Sequence, residues 1–303
     1  MTNEPTLKDP EDFPWIYRAT NARSLEAQKE FLLWFRVRLF SLLIAAVGGA
    51  LSTPILGVRV GAWVAFLAFV IALGAELFLM SRKPERIWYE GRAAAESAKT
   101  LTWRFIVCGE SFGHEKSAEQ AERELLRELG EILNDLGDLD LSGSETDGPQ
   151  VTPAMRAARA QPFEQRRRLY QSDRIDAQKT WYANKAKWNS IRSRRWTTMV
   201  IGTEIVGVLL GGLAVIGILD FDAAGILAAI GAAVTAWVQA KQHQNLATAY
   251  SITSQELASI SSEMDLFTTE SDWAEFVGQA EEAISREHTL WRASRGIRIK
   301  PSH

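Results

Sequence analysis

Cysteine is almost absent: Cys108 is the one thiol in 303 residues, so no disulfide forms within the chain, which suits a reducing compartment. With no histidine near it in sequence, Cys108 reads as a buried inert thiol rather than a nucleophile. Histidine is scarce too, and His114, His243, His288 and His303 are too scattered to form a metal-spaced pair. No glycine loop ends in Lys-Ser or Lys-Thr, and no dinucleotide-type glycine pattern follows a strand. Met1 to Pro14 is polar, acidic and proline-bearing and lacks the basic stretch and apolar core of a secretory leader; a disordered leader is expected, not a cleaved signal. Charge of one sign is not in excess, and a net charge of -3 selects no class of partner. These gaps leave no catalytic, cofactor or metal centre in view, and no enzyme is expected.

What the chain has is apolar length. Leu39 to Val58 is uncharged, Arg59 marks a turn, and Gly61 to Ser81 is apolar except for Glu76. From Trp196 to Leu219 the one ionisable residue is Glu204, the segment Asp220-Phe221-Asp222 breaks the run, and Ala223 to Ala240 has no charge. Each run approaches the ~20 residues a helix needs to cross ~30 Å of hydrocarbon. A mean hydropathy of -0.10 conceals them because the rest of the chain is strongly charged. The expected fold class is all-α: a membrane protein with two transmembrane helical hairpins, hence four spans, and long cytoplasmic helices. Arg36 and Arg38 precede the first hairpin, and Arg82, Lys83 and Arg86 follow it. Lys185, Lys187, Arg192, Arg194 and Arg195 precede the second, and Lys241 follows it. Basic residues near span ends stay in the cytoplasm, so both termini are expected there and both turns outside. The result is a parallel repeat of a two-span unit.

The expected division is a leader over 1–14, a first two-span unit with cytoplasmic helices over 15–136, a linker over 137–161 and a second such unit over 162–303. No glycine or proline interrupts Ala19 to Ala46, which predicts one helix entering the first span. Pro84 suits the first turn of a helix running to about Val107. Ser117 to Leu136 is an amphipathic helix with a stripe of Leu125, Leu126, Leu129, Ile132, Leu133 and Leu136. A long basic helix, Phe163 to Arg195, feeds the third span. Beyond the fourth span Leu246, Tyr250, Leu257, Ile260 and Met264 continue a helical stripe, and Ser271 is expected to cap a last helix. In the linker, Asp138, Asp140, Ser142 and Gly143 match the start of a calcium loop, but its twelfth position is Pro149 where a bidentate glutamate is needed, so a solvated acidic linker is the reading. Arg166, Arg167 and Arg168 would attract phosphate, yet a solvated helix near anionic lipid explains the basic clusters, and nucleic acid is not an expected partner.

Glu76 and Glu204 are the candidate pore-lining or gating residues. At ~1.5 Å per residue they lie about 9 and 13 Å from the basic ends at Arg82 and Arg195. A carboxylate facing lipid there costs a few kcal/mol, so each should face protein or water; the bland reading is a carboxyl satisfied inside the bundle, near Thr203 or Thr235. Gly207 and Gly211 form a candidate helix-packing face, between subunits or within one. Trp34, Trp181, Trp196 and Trp237 lie near span boundaries, where interfacial anchoring alone explains them.

The stretch Trp88 to Phe105, with Tyr89, Arg92, Glu96, Lys99, Trp103 and Arg104, resembles the signature that follows the hairpin in one subgroup of SLATT domains. Tyr170 to Lys185, with Arg174, Gln178, Trp181 and Tyr182, together with Ala283 to Trp291, with Glu287, His288 and Trp291, resembles a second subgroup often fused behind the first. SLATT domains are two-transmembrane effectors associated with nucleotide-synthesising and nucleotide-sensing domains in bacterial conflict systems. The resemblance implies an oligomeric, pore-forming anti-phage effector of the bacterial inner membrane, with no cofactor and no catalytic residues. Its implied partners are the lipid bilayer, further copies of itself, and a nucleotide second messenger or separate sensor protein. The alternatives are a non-conducting scaffold that recruits a cytoplasmic partner, and a soluble bundle that inserts its hairpins when triggered.

Overall fold

In a computed structural model, the described residues are 9–51, 59–136, 141, 148–218 and 223–294, of which 286–294 are described by backbone alone. Both hairpin turns, apart from Arg59, and the calcium-like run from Asp138 to Gly143, apart from Leu141, lie outside them. Every regular element among the described residues is helical. α1 is Trp15–Ala50, α2 Val60–Arg82 and α3 Pro84–Ile106. α4 is Ala118–Asp135, α5 Pro153–Arg159 and α6 Phe163–Leu169. A π-helical segment, Tyr170–Asp176, joins α6 to α7, Ala177–Val215. α8 is Ala223–Lys241, α9 His243–Glu263 and α10 Glu270–Ser294. Four of the helical stretches are long and apolar enough to cross a membrane, which makes this a multi-pass membrane protein.

Local chemistry explains where the helices start and stop. Ser117 and Gln120 cap α4 reciprocally: the Gln120 amide donates to Ser117 Oγ at 3.2 Å and the Ser117 amide donates to Gln120 Oε1 at 2.9 Å. The cap of α10 is Thr269, not the expected Ser271; Thr269 Oγ1 accepts from the Asp272 amide at 3.2 Å, and the helix already begins at Glu270. Both second spans end on a left-handed residue, Lys83 at φ 46° and Gln242 at φ 48°, each returning its amide to the carbonyl four residues back. A side chain in that region costs roughly 1–2 kcal/mol, so the matching breaks are a device shared by the two repeats.

The described residues divide into two compact units. Unit 1 draws on Met1–Ala27, Arg86–Lys185 and Ala249–His303. Its core is aromatic: Trp103, Phe105 and Ile106 of α3, Phe112, Tyr170 and Trp273 are buried with Leu125 and Leu129 of α4. Each such side chain contributes about 1.5–3 kcal/mol on burial. The expected stripe on α4 is split, with Leu126 and Leu133 exposed. At the start of the chain, Phe13 is buried behind a 3-10 turn over Pro10–Asp12, so the described end of the expected leader is folded. Part of the expected linker is folded as well. Thr152 caps α5, its hydroxyl donates to the Asp12 carbonyl at 2.8 Å, and Met155 and Ala158 are fully buried.

Unit 2 comprises Gln28–Glu85 and Ala186–Thr248. Its helices are packed differently, with Phe40, Trp63, Phe66, Phe69 and Val208 more than half exposed. A soluble surface rarely carries apolar area of this extent, whereas lipid satisfies it. Within the first hairpin α1 and α2 meet at Gly48 and Gly61: a Cβ on Gly48 would stand 2.8 Å from the Gly61 carbonyl oxygen, and one on Gly61 would collide with the Gly48 carbonyl. Glycine is required at both positions because the obstacle is backbone.

Candidate functional site

In unit 1 the signature residues of the two halves come together. The π-helical segment turns Tyr170 and Arg174 inward along with Ile175, and all three are buried. Facing them is Glu281 of α10, with no exposed surface. Arg174 holds this carboxylate through Nε at 2.8 Å and Nη2 at 2.6 Å. The Tyr170 hydroxyl donates to Oε1 at 3.0 Å, and the Thr100 hydroxyl donates to Oε2 at 3.0 Å. Four donors thus satisfy one buried carboxylate, the condition under which a buried ion pair persists. Burial alone would lower the Arg174 pKa, but the charge of Glu281 more than reverses it. Burial, then the Glu281 charge, raises the Tyr170 pKa well above its ordinary value and keeps the phenol protonated.

The other signature residues surround this pair or sit nearby in unit 1. Trp103 stands edge-on to Tyr170 with ring centroids 6.1 Å apart. Lys99 is close enough to Arg174 to feel its charge; burial first, then that repulsion, lowers the Lys99 pKa to about 8. Arg92 pairs with Glu96 at 2.5 Å, and Arg104 donates to the Glu110 carbonyl at 3.0 Å. Tyr89 and Tyr182 are buried, Trp181 stands 5.5 Å from Tyr250, and Gln178 is half-buried. The side chains of Glu287, His288 and Trp291 lie outside the described ones. Sequence reasoning missed Glu281, although a signal was present: Trp273, Val277, Ala280 and Ile284 make a buried stripe on α10, and Glu281 interrupts it with a charge. The basic run at 166–168 is committed partly to intramolecular bonds. Arg166 grips Glu270 at 2.7 and 2.9 Å, and Arg167 reaches Asp265 at 2.7 Å. The Trp273 indole donates to the Val107 carbonyl at 3.0 Å, and Cys108 beside it is buried, which raises its pKa.

In unit 2 the two span carboxylates differ. Glu76 of α2 pairs with Arg38 of α1 at 2.8 Å. Glu204 of α7 is exposed and has no hydrogen-bond or ionic partner among the described residues. Thr203 does not serve it; that hydroxyl donates to the Met199 carbonyl at 2.9 Å and its methyl faces Gly231 of α8. None of the apolar window of α7 is buried. Gly207 and Gly211 face α8, where an added Cβ would sit 4.0 Å from Leu227 and Ala224 respectively. Toward the basic end of α7, Ser190, Ser193, Arg194, Thr197, Thr198 and Gln244 line an open cleft of about 370 Å³. At 3.6 residues per turn, Ser190, Ser193, Thr197 and Glu204 fall in one sector roughly 60° wide, with the apolar Val200 and Ile201 between Thr197 and Glu204.

Residues 14–167 match the family model of SMODS and SLOG-associating 2TM effector domain 3, and residues 170–291 match that of SMODS and SLOG-associating 2TM effector domain 1. No curated protein and no solved structure matches the chain.

Proposed function

We propose that this chain, which belongs to the SMODS and SLOG-associating two-transmembrane effector family through both of its halves, is an oligomeric pore-forming effector of a bacterial conflict system. The observation that carries the proposal is Glu204, an exposed and unpartnered carboxylate on a span whose apolar window is bare. In a lipid-facing position it costs a few kcal/mol, and that cost vanishes where copies of α7 surround water. The hydroxyls of Ser190, Ser193 and Thr197 in the same sector supply polar lining, and repeated around a ring the carboxylates favour cations. In this reading both termini lie in the cytoplasm of a bacterial inner membrane, as the basic flanks favour, and cytoplasmic helices hold the pore closed until a nucleotide messenger or a separate sensor acts. Gly207 and Gly211 then support the ring indirectly by seating α7 on α8.

A scaffold that recruits a partner without conducting draws support from the exposed Leu126 and Leu133 on α4, seven residues apart on one face. Ion flux from liposomes holding the purified chain separates the two readings. Pore formation predicts a cation-selective leak that Glu204→Gln makes less selective and Glu204→Lys inverts or blocks. Liposomes that stay tight over the range where the protein arrests growth in cells would leave the scaffold reading standing.

A further inference from the structure

α1, α2 and α8 line an open apolar groove of about 530 Å³, and α1, α8 and Trp196 of α7 line a second of about 280 Å³; the two share Phe40 and Leu43. The first continues past Ile230 to Val60, and the second ends at Arg36 and Trp237. From Arg36 to Leu51 the α1 wall is about 22 Å long, more than the ~15 Å depth of one leaflet. At the charged end, Arg36 and Lys241 each stand 5.1 Å from the Trp237 ring centroid. Arg192, 4.1 Å from the Trp188 ring, is near enough to repel the Lys241 charge. Among the described residues none of these three cations has a carboxylate partner, although Arg38, two residues from Arg36, does.

We propose that this is a binding site for one anionic phospholipid, with its phosphate held by Arg36, Lys241 and Arg192 over the Trp237 indole and one acyl chain laid along the groove past Phe40 and Leu43. Three clustered cations at a membrane boundary repel one another until an anion joins them, and an interfacial phosphate arrives at that depth. The apolar groove opening directly below the cations is what a free phosphate has no use for and an acyl chain fills. A second copy of this chain does not meet the same need. Its unpaired span carboxylate, Glu204, lies about 13 Å below the basic end of its helix, too deep in the same membrane to reach Arg36. The inference holds whether or not the chain conducts.

Native mass spectrometry of the full chain in mild detergent tests it, with phosphatidylglycerol, phosphatidylcholine of the same chains, and glycerol 3-phosphate as the added probes. A phosphatidylglycerol adduct well in excess of the phosphatidylcholine adduct is expected, and none with glycerol 3-phosphate. At about 1 kcal/mol per cation, Arg36→Gln with Lys241→Gln should weaken that adduct about 30-fold. Leu43→Trp keeps the cations and fills the groove, so it should reduce the adduct even if the double variant fails to fold. Equal adducts with both lipids that no variant changes would mean annular lipid and overturn the site. Glycerol 3-phosphate binding as tightly as the lipid would reduce it to a phosphate site, and a photo-crosslinker at Leu43 that captures a second copy instead of lipid would assign the groove to self-association.

Discussion

Glu281 and Glu204 are carboxylates on long helices of one chain, and their surroundings are opposite. Glu281 is sealed from solvent and accepts from Arg174 twice, from Tyr170 and from Thr100. Glu204 is exposed and accepts from nothing described. Glu76 falls between, with one partner, Arg38, and partial exposure. A carboxylate saturated inside the chain serves that chain's fold, whereas one left open on a span has its partner elsewhere, in water or in another molecule.

The comparison breaks most visibly at Glu281. Glu281→Ala leaves the Arg174 guanidinium buried and uncompensated and should cost about 3–5 kcal/mol, seen as a lowered melting temperature of the detergent-purified chain. A melt within a degree of the parent would mean the buried pair contributes nothing to the fold.

Lys99 adds a pH signature to the same cluster. Its folded pKa of about 8 is below the unfolded value of 10.5, so the folded state resists its protonation. The penalty is fully present below about pH 8 and is relieved as pH rises toward 10.5, a gain on the order of 3 kcal/mol. Lys99→Met should raise the melting temperature at pH 7 and flatten the rise between pH 8 and 10.5; parallel profiles for parent and variant would remove Lys99 from the balance.

A smaller effect is expected at the intermediate carboxylate. Arg38→Gln leaves a span carboxylate without its partner and should cost about 1–3 kcal/mol, and Glu76→Gln on top of it should restore the loss. A double variant no better than the single would show that the two side chains do not act as a pair. Smallest of all in stability is Glu204→Gln, expected within about 0.5 kcal/mol of the parent in the same melt. Its ion selectivity should nonetheless change in the liposome assay, and a large loss of stability would make Glu204 a structural residue like Glu281.

Local features of this fold were legible in the sequence because their causes are local. The four apolar runs announce the spans by length, and Ser117 with Gln120 announces the start of α4 at three-residue spacing. Pairing was not legible. Arg174 and Glu281 are 107 positions apart, Arg166 and Glu270 are 104, and nothing in either neighbourhood names the other. Depth alone put Glu76 level with Glu204, but depth does not say that α1 offers Arg38 to one and that no described residue offers a cation to the other. The π-helical turn escaped because a 3.6-residue period was assumed through Tyr170–Asp176, although Tyr170 and Arg174, four residues apart, share a face under either period. Thr269 rather than Ser271 caps α10 because capping depends on backbone geometry two residues earlier than composition suggested.

The bond from the Trp273 indole to the Val107 carbonyl spans 166 residues. At about 5–20 residues per second, Val107 leaves the ribosome roughly 10–30 s before its partner exists. In that interval the third and fourth spans are made, so every span is available for insertion before the aromatic interior of unit 1 closes. A nascent chain that stops short of Trp273 therefore carries all four candidate spans but lacks the indole that closes on the Val107 carbonyl.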